Sequence, residues 1–382
     1  MNKLKKIKLA TIVGTRPEII RLSSIINHIR KSKSFDHFLI HTGQNYDQEL
    51  NDIFFSDLNI DPPDFYLNAA GSTPAETIGK ILIETDKILD KVKPDAVLIL
   101  GDTNSGLSAI CAKKRKIPIF HYEAGNRCFD QRVPEETNRK IIDNISDINL
   151  TYSKIAKDYL ISEGFHPDRV INIGSPMYEV INNNLIKIKS SNILKKLDLN
   201  KGKYFLVSCH REENVDSDQN FDNLINILNV LCEKYKLPVI LSVHPRTKKK
   251  INSKNPKFNK LIKLCSPFGF TDYNSLQTNS FIVLSDSGTI SEESSILNFR
   301  AINIRDSHER PEAMEEAAVI MTGLNIDRIN QAIDILNNQK TEHNRNFNLV
   351  SDYSKNNISL KLERIIISYV DYINRVVWQK EL

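Results

Sequence analysis

The chain has 382 residues, 40% of them hydrophobic, which is enough for two domains that each bury a core. Its 52 basic and 47 acidic residues leave a net charge of only +5, so no nucleic-acid groove is expected, and we interpret the lysines at 248–250 as a solvated turn. The five cysteines are odd in number and widely spaced, which favours reduced thiols in a cytoplasmic protein. The first apolar stretch, at 7–13, is too short to cross a bilayer, so no membrane insertion is expected.

The first half of the chain alternates short apolar runs with amphipathic stretches. The pattern predicts strands at 9–13, 38–40, 96–100 and 117–122, and helices at 17–29, 75–89, 106–114 and 135–144. Strands that are apolar on both faces and alternate with helices are typical of a parallel, doubly wound sheet.

The same alternation restarts after Gly174, with predicted strands at 204–208, 238–243 and 281–284 and a helix at 221–235. A polar stretch at 339–357 predicts a loop, and the segment after it predicts an amphipathic helix. The sequence therefore predicts an α/β protein with two Rossmann-like doubly wound parallel-sheet domains facing a cleft. We expect an N-terminal domain at 1–174 that carries acidic catalytic residues, a C-terminal nucleotide-binding domain at 175–357, and a final helix at 358–382 that packs back on the first domain.

Polar residues follow the predicted strands of the first domain, at the edge where parallel sheets bind ligands. After the first strand, Gly14, Thr15 and Arg16 offer backbone N–H groups, a helix dipole and a guanidinium to an anion, although a tight turn with Arg16 in an ion pair is equally compatible with the sequence.

Carboxylates follow the next strands. Asp102 either caps the helix after it or belongs to a site. Glu123 follows an apolar strand and should be partly shielded from water. Glu135 and Glu136 begin a helix, where one of them need only complement the helix dipole. Acids in such places suit acid/base chemistry.

In the second domain, His210 and His244 each follow a strand beside or near an arginine, and each is either structural or catalytic. The run 287–289 followed by Glu293 has the form of a diphosphate turn plus a carboxylate for ribose hydroxyls, and Arg310 adds positive charge. No metal-ligand spacing and no Gly-x-Gly-x-x-Gly occurs, so we expect neither a metal nor any other cofactor.

The ordered motifs of this chain resemble those of the non-hydrolysing UDP-N-acetylglucosamine 2-epimerase family, whose two-domain fold is shared with GT-B glycosyltransferases. The resemblance covers nearly the whole length. It is carried by Gly14-Thr15-Arg16-Pro17-Glu18, Gly43-Gln44, Gly101-Asp102-Thr103, His121-Tyr122-Glu123-Ala124-Gly125, Pro134-Glu135-Glu136-Thr137-Asn138-Arg139, His210-Arg211-Glu212-Glu213-Asn214, Asp286-Ser287-Gly288 and Glu309-Arg310-Pro311-Glu312-Ala313.

The resemblance implies inversion at C2 of a UDP-linked 2-acetamido sugar through elimination of UDP, a 2-acetamidoglucal intermediate and re-addition of UDP. It further implies a homodimer acting on a UDP-sugar without a cofactor. The implied catalytic residues are Asp102, Glu123, Glu135 and His210. The implied substrate-binding residues are Arg16, Arg21, Arg139, His244, Tyr273, Ser287, Gly288, Thr289, Glu293 and Arg310, with Tyr273 as a partner for uracil.

The chain departs from the family pattern at two places. Asn126-Arg127 stands where the family commonly has Leu-Arg, and Thr289 stands where a second glycine is common. The run 126–133 instead resembles the branch that makes UDP-N-acetyl-L-fucosamine from a 6-deoxy-L-talose precursor for capsule or O-antigen. The sugar pair is therefore either UDP-GlcNAc and UDP-ManNAc or the 6-deoxy-L-talo precursor and UDP-L-FucNAc.

Three other functions remain open at this stage: a hydrolysing epimerase, a GT-B glycosyltransferase and a non-catalytic UDP-sugar-binding protein. The strand-end carboxylates argue against a simple binder, because they would repel an anionic diphosphate.

Overall fold

The computed structural model describes residues 5–44, 48–131, 133–307, 309–341 and 343–381; Arg132, within the 126–133 run, lies outside the described residues. The chain forms two compact units, Met1–Asn183 with Ser354–Leu382, and Asn184–Tyr353. The first boundary differs from the expected residue 174. Tyr122 Oη donates a hydrogen bond of 2.7 Å to the carbonyl of Gly174, so the Gly-Ser-Pro turn is part of the first unit and does not act as a linker.

A seven-stranded parallel sheet forms the first unit, in the order β3-β2-β1-β4-β5-β6-β7. Its strands are β1 (Ile7–Val13), β2 (Phe35–His41), β3 (Phe65–Tyr66), β4 (Ala96–Leu100), β5 (Ile119–Tyr122), β6 (Ile148–Thr151) and β7 (Val170–Asn172). All five residues of β4 are buried, as its unbroken apolar run predicts for a central strand.

A six-stranded parallel sheet forms the second unit, in the order β10-β9-β8-β11-β12-β13. Its strands are β8 (Phe205–Ser208), β9 (Val239–Ser242), β10 (Ile262–Cys265), β11 (Ile282–Ser285), β12 (Ala301–Asn303) and β13 (Ile320–Met321). Alternate residues of β8 enter different apolar clusters, Phe205 and Val207 one and Leu206 the other, so the sheet has a core on each face. The predicted α/β fold class with two doubly wound parallel sheets is confirmed.

Helices connect the parallel strands in both units. They are α1 (Arg16–Lys31), α2 (Gln48–Asp57), α3 (Pro74–Val92), α4 (Ala109–Lys114), α5 (Glu135–Ile145), α6 (Lys154–Ser162), α7 (Met177–Ser190), α8 (Ile193–Lys196), α9 (Glu212–Val215), α10 (Asp218–Tyr235), α11 (Pro245–Lys254), α12 (Phe270–Asn279), α13 (Ile290–Leu297), α14 (Pro311–Glu315), α15 (Ile326–Leu336) and α16 (Ile358–Val376).

The predicted helix at 106–114 is only partly right. Its first part belongs to a 3₁₀ helix, Asn104–Ser108, in which the N–H of Gly106 donates to the carbonyl of Thr103 at 2.9 Å, and α4 begins afterwards. Gly106 accounts for the later start of α4, because glycine stabilises an α-helix poorly. A larger residue would fit here only if Ile142 moved, since a Cβ atom on Gly106 would collide with the side chain of Ile142.

The last helix, α16, belongs to the first unit. Its Glu363 accepts a hydrogen bond from Ser32 Oγ at 2.5 Å and lies 2.6 Å from His28 Nε2, both near the end of α1. Tyr372 Oη, further along α16, donates to Asp168 Oδ2 at 2.9 Å. Across the described ranges, no helix is both long enough and apolar enough to cross a membrane.

Candidate functional site

The strand order of the first unit reverses between β1 and β4. These two strands lie side by side, and the strands that follow each of them in the chain extend the sheet in opposite directions. Ligands of open α/β sheets bind at the carboxyl end of the strands beside such a switch point. The turns that follow β1, β4 and β5 therefore form the part of the first unit where a site is expected.

Glu18 occupies the turn between β1 and α1. Its Oε2 accepts hydrogen bonds from the N–H groups of Gly14 at 2.9 Å and Thr15 at 2.6 Å and from Thr15 Oγ1 at 2.8 Å. Its Oε1 accepts from Thr103 Oγ1 at 2.9 Å, which links this turn to the one after β4. Of the two alternatives for this turn, the structure favours the structural one for the backbone, because a carboxyl group of the chain itself receives the N–H groups of Gly14 and Thr15. The contact of Arg16 with an anion stays a prediction.

Burial dominates the titration of Glu18. It raises the pKa of this carboxyl from 4.5 to about 7, although the hydrogen bonds from Gly14, Thr15 and Thr103 act in the opposite direction. Arg16, in the same turn, is half-buried, and its guanidinium carbon lies 5.9 Å from the ring centre of Phe54 in α2.

Asp102, which follows β4, does not cap the next helix. Thr103 does so, because its Oγ1 accepts from the N–H of Ser105 at 3.2 Å. Asp102 Oδ2 instead lies 2.7 Å from both Nε and Nη2 of Arg139, and the Nη1 of this arginine donates to Glu136 Oε2 at 2.8 Å. Arg139 thus joins the turn after β4 to the first turns of α5.

Glu123, which follows β5, has a φ of 71°, in the left-handed region that residues other than glycine seldom adopt. Its side chain is 13% exposed, in agreement with the predicted partial shielding. Arg21 Nη1 lies 3.9 Å from its Oε1, and Asn126 Nδ2 donates to the same oxygen at 3.2 Å. Its Oε2 faces Gly101, the residue before Asp102, and would lie 3.3 Å from a Cβ atom placed on this glycine. Backbone strain of this kind is concentrated at functional sites.

The two acids at the start of α5 have different surroundings. Glu136 is buried and accepts hydrogen bonds from the N–H of Cys128 at 3.2 Å and from Arg139. Burial opposes its ionisation, but these donors outweigh burial and hold the pKa of Glu136 below its ordinary value. Glu135 is only half-buried. Glu136 is therefore the structural member of the pair, and Glu135 is the more accessible one.

Asp143 of α5 is fully buried and organises the turn after β5. Its oxygens lie 2.9 Å from His121 Nδ1 and accept from Arg127 Nη1 at 2.7 Å and from the N–H of Gly125 at 3.3 Å. Burial opposes ionisation, but His121 and Arg127 outweigh it and keep the pKa of Asp143 low. Asp143 was not predicted as a site residue, although its spacing from Glu136 and Arg139 places all three on one face of α5.

The sheet of the second unit has its own switch point, between β8 and β11. His210 follows β8 and Asp286 follows β11. Asp286 Oδ2 accepts from the N–H groups of His210 and Arg211, both at 2.9 Å, and from Asn214 Nδ2 at 3.2 Å. Asp286 Oδ1 lies 3.2 Å from His210 Nδ1.

Asp286 has no exposed surface, and burial alone would favour its neutral form. The charge of His210 and the backbone donors outweigh burial, so the pKa of Asp286 lies below its ordinary value. An ionised, buried carboxylate that faces one ring nitrogen fixes the direction of the imidazole. His244, which caps α11, contributes a ring whose centre lies 5.5 Å from that of His210. The two predicted histidines are therefore neighbours.

Residues 287–289 form the turn between β11 and α13, with Ser287 Oγ 3.0 Å from Thr289 Oγ1. A turn of this kind at the start of a helix favours binding of an anion, because the positive end of the helix dipole points toward it. Glu293, one turn into α13, is buried and accepts from Gln277 Nε2 at 2.6 Å.

Tyr273 of α12 also contacts this strand edge. Burial and the nearby charge of Glu293 raise the pKa of its hydroxyl above the ordinary value, and the hydroxyl hydrogen-bonds with Ser208 and Ser285 at the ends of β8 and β11. Arg310 is buried, with its Nε 3.7 Å from Glu292 Oε2. Within the described parts of the chain, no group of three or more histidine, cysteine, aspartate or glutamate residues could hold a metal ion.

The family model described as UDP-N-acetylglucosamine 2-epimerase matches residues 27–367, most of the chain. The chain therefore belongs to the UDP-N-acetylglucosamine 2-epimerase family. This confirms the predicted family and its enzyme class, isomerase.

Members of the UDP-N-acetylglucosamine 2-epimerase family with known structures share this architecture. The structure of UDP-N-acetylglucosamine 2-epimerase from Rickettsia bellii is 47% identical with a TM-score of 0.90, and the match covers 98% of this chain and 100% of that one. The Methanocaldococcus jannaschii enzyme, crystallised with UDP-GlcNAc and UDP, is 36% identical with a TM-score of 0.88 over 95% of this chain and 100% of that one. Among curated relatives, the UDP-2,3-diacetamido-2,3-dideoxy-D-glucuronate 2-epimerase of Pseudomonas aeruginosa is 33% identical over 84% of this chain and 90% of its own length.

Proposed function

We propose that this chain is a non-hydrolysing UDP-N-acetylhexosamine 2-epimerase, which inverts C2 of a UDP-2-acetamido sugar by eliminating UDP and adding it back. Membership of the family supports this proposal, as does the likeness to an M. jannaschii enzyme crystallised with UDP-GlcNAc and UDP. The observation that carries it is the pair of carboxylates, Asp102 and Glu123, which follow the adjacent strands β4 and β5, with Glu123 Oε2 facing Gly101.

Two carboxylates suit the chemistry at C2. The proton on this carbon is weakly acidic, so its removal is helped when the diphosphate on C1 departs with the developing negative charge. One acid takes a proton from one face of the sugar, and another returns a proton to the opposite face. We assign these roles to Asp102, Glu123 and Glu135. Asp102 lies in the turn after β4, Glu123 lies in the turn after β5, and Glu135 begins α5.

The strand ends of the second unit suit the nucleotide. We assign to His210, held by Asp286 at 3.2 Å, the stabilisation of the departing diphosphate. The turn at 287–289 and the dipole of α13 favour a diphosphate, and Glu293 suits ribose hydroxyls. His244, Arg310 and Tyr273 complete the set of proposed UDP-binding residues in this unit, with Tyr273 beside uracil.

The arginines of the first unit have roles with substrate in this proposal as well. Arg21 lies near Glu123 and Arg139 lies against Asp102, so both can orient the acids and complement the anionic substrate. Arg16 is proposed to contact the nucleotide.

The sugar is either the UDP-GlcNAc and UDP-ManNAc pair or the 6-deoxy-L-talo and UDP-L-FucNAc pair, for capsule or O-antigen precursors. The P. aeruginosa relative is named for a different acetamido sugar, so relatives of this chain are named for more than one sugar. Five free thiols are consistent with the reducing cytoplasm. We further propose a homodimer.

An NMR assay in deuterated water tests the proposal. Each nucleotide sugar is incubated with the protein, and C2 is followed together with the nucleotide. The proposal expects a solvent deuteron at C2 of a sugar that still carries UDP. Stoichiometric release of UDP with free sugar would indicate a hydrolysing epimerase, and a requirement for an acceptor sugar would indicate a glycosyltransferase. Binding of UDP-sugar without any conversion would leave only the non-catalytic binder.

A further inference from the structure

Asn126 touches the carboxylate of Glu123, and we propose that it is a positioning residue for this acid. Asn126 is 5% exposed, and its Nδ2 donates to Glu123 Oε1 at 3.2 Å. The role of Glu123 in catalysis rests on the proposed function. The contact itself does not, so the two can be tested separately.

The backbone beneath Asn126 is held firmly. Its carbonyl accepts from Arg127 Nη1 at 2.8 Å, and the same nitrogen donates to Asp143 Oδ2 at 2.7 Å. The Nε and Nη2 of Arg127 donate to both oxygens of Glu163 at 2.8 and 2.6 Å. A bidentate pair of this kind fixes direction as well as distance. These hydrogen bonds fix the backbone of the turn that carries the Asn126 side chain.

Glu123 is restrained in its orientation by the contact with Asn126. Its φ of 71° sets the direction in which the side chain leaves the backbone, and three side-chain torsions remain to be fixed. The amide of Asn126 restrains the Oε1 atom, while Oε2 faces Gly101.

Asn126 is a neutral donor. A charged donor makes a stronger hydrogen bond to a carboxylate and stabilises its ionised form more, which makes the carboxylate a weaker base. The amide of Asn126 therefore orients Glu123 with a smaller loss of basicity than a cationic donor would cause, which suits a group that must accept and return a proton.

The test compares Asn126→Leu with a matched control, Asn149→Leu. Asn149 is also a buried amide of the first unit, but its Nδ2 donates to the carbonyl of Asp143 at 3.0 Å rather than to the carboxylate of Glu123. Both variants lose a buried hydrogen bond, so both should lose stability. Only the first should alter Glu123.

Two readouts are needed. In the C2 deuterium assay, we expect Asn126→Leu to lower kcat about 10- to 150-fold, the range for one hydrogen bond to a charged group, with KM within about threefold of wild type. In a ¹³C NMR titration of labelled glutamate carboxyls, assigned with Glu123→Gln, the midpoint of Glu123 should move to higher pH because the ionised form loses a donor. Asn149→Leu should leave this midpoint and the KM unchanged.

The outcomes separate the two hypotheses. An unchanged midpoint for Glu123 in Asn126→Leu, or equal effects of the two variants on kcat, would overturn the positioning role. Absence of C2 exchange in the wild-type protein would overturn the proposed function, while the ¹³C titration would still decide whether Asn126 acts on Glu123.

Discussion

Replacing Glu18 with glutamine should make the free energy of unfolding of the first unit fall less as the pH rises. The carboxyl has a pKa near 4.5 when exposed and about 7 in the folded protein, so folding favours its protonated form. This contribution is fully present below the unfolded pKa and is lost as pH rises from about 4.5 to about 7. The difference of about 2.5 units corresponds to about 3 kcal/mol at 1.36 kcal/mol per unit.

Glutamine can keep much of the local structure. Its carbonyl oxygen can accept from Gly14 and Thr15, as Glu18 Oε2 does, while its amide can donate to Thr103 Oγ1, which then acts as the acceptor. The variant therefore tests the proton, because the shape of the side chain is retained.

Urea unfolding from about pH 5 to about pH 8 measures the effect. Trp378 is the single tryptophan and belongs to the first unit, so its fluorescence reports on that unit. We expect wild type to lose about 2 to 3 kcal/mol more than Glu18→Gln across this interval.

Glu76→Gln is the matched control. Glu76 also receives a backbone N–H and a hydroxyl, both from Ser72, at the start of a helix, but it is exposed, and hydrogen bonds from Lys80 and Ser72 lower its pKa to about 2. It stays ionised throughout the interval, so the control should follow wild type. An equal loss of stability in wild type and in Glu18→Gln across this interval would contradict the claim that folding raises the pKa of Glu18 to about 7.

Three further changes test the site and its support. Glu123→Gln should abolish turnover yet leave UDP affinity within about tenfold, about 1.4 kcal/mol, by calorimetry; a far larger loss would mean that Glu123 is structural. Asp286→Asn should lower kcat roughly 10- to 100-fold, because His210 loses a charged partner, and an unchanged kcat would contradict that role. Gly125→Ala should destabilise the first unit by more than the roughly 1–2 kcal/mol that a left-handed backbone costs a residue other than glycine, because its Cβ would also collide with the backbone of α6. Gly164 has a left-handed backbone with open space around it, so Gly164→Ala should cost only about 1–2 kcal/mol, and equal losses of stability in the two variants would argue against the collision.

The sequence predicts the long and strongly patterned elements well. The bounds of β4 match the prediction, and α5 differs by one residue at its end, because an unbroken apolar run and a clear amphipathic pattern report directly on burial. Strands such as β3 and β13, with two residues each, are too short to show any periodicity. They form only because a neighbouring strand supplies hydrogen bonds.

The polar residues of the site were predictable as a group, because strand ends are visible in the sequence. Their partners were not. The N–H groups of Gly14 and Thr15 were available to an anion by their position, yet the carboxyl group of Glu18 accepts both of them. Asp102 was a candidate cap, but Thr103 caps and Asp102 pairs with Arg139, which lies 37 residues further along the chain. Such pairings depend on which turns the sheet order brings together, and short-range patterns do not contain that information.

Cleavage of the bond between C1 and the diphosphate is the central step of the account, and an oxygen label tests it directly. The substrate is prepared with ¹⁸O between C1 and the β-phosphorus, and ³¹P NMR follows the label in nucleotide sugar recovered during epimerisation. Departure and return of UDP predict that the label spreads to non-bridging oxygens of the β-phosphate. A label that stays entirely in the bridge through many inversions of C2 would contradict the account.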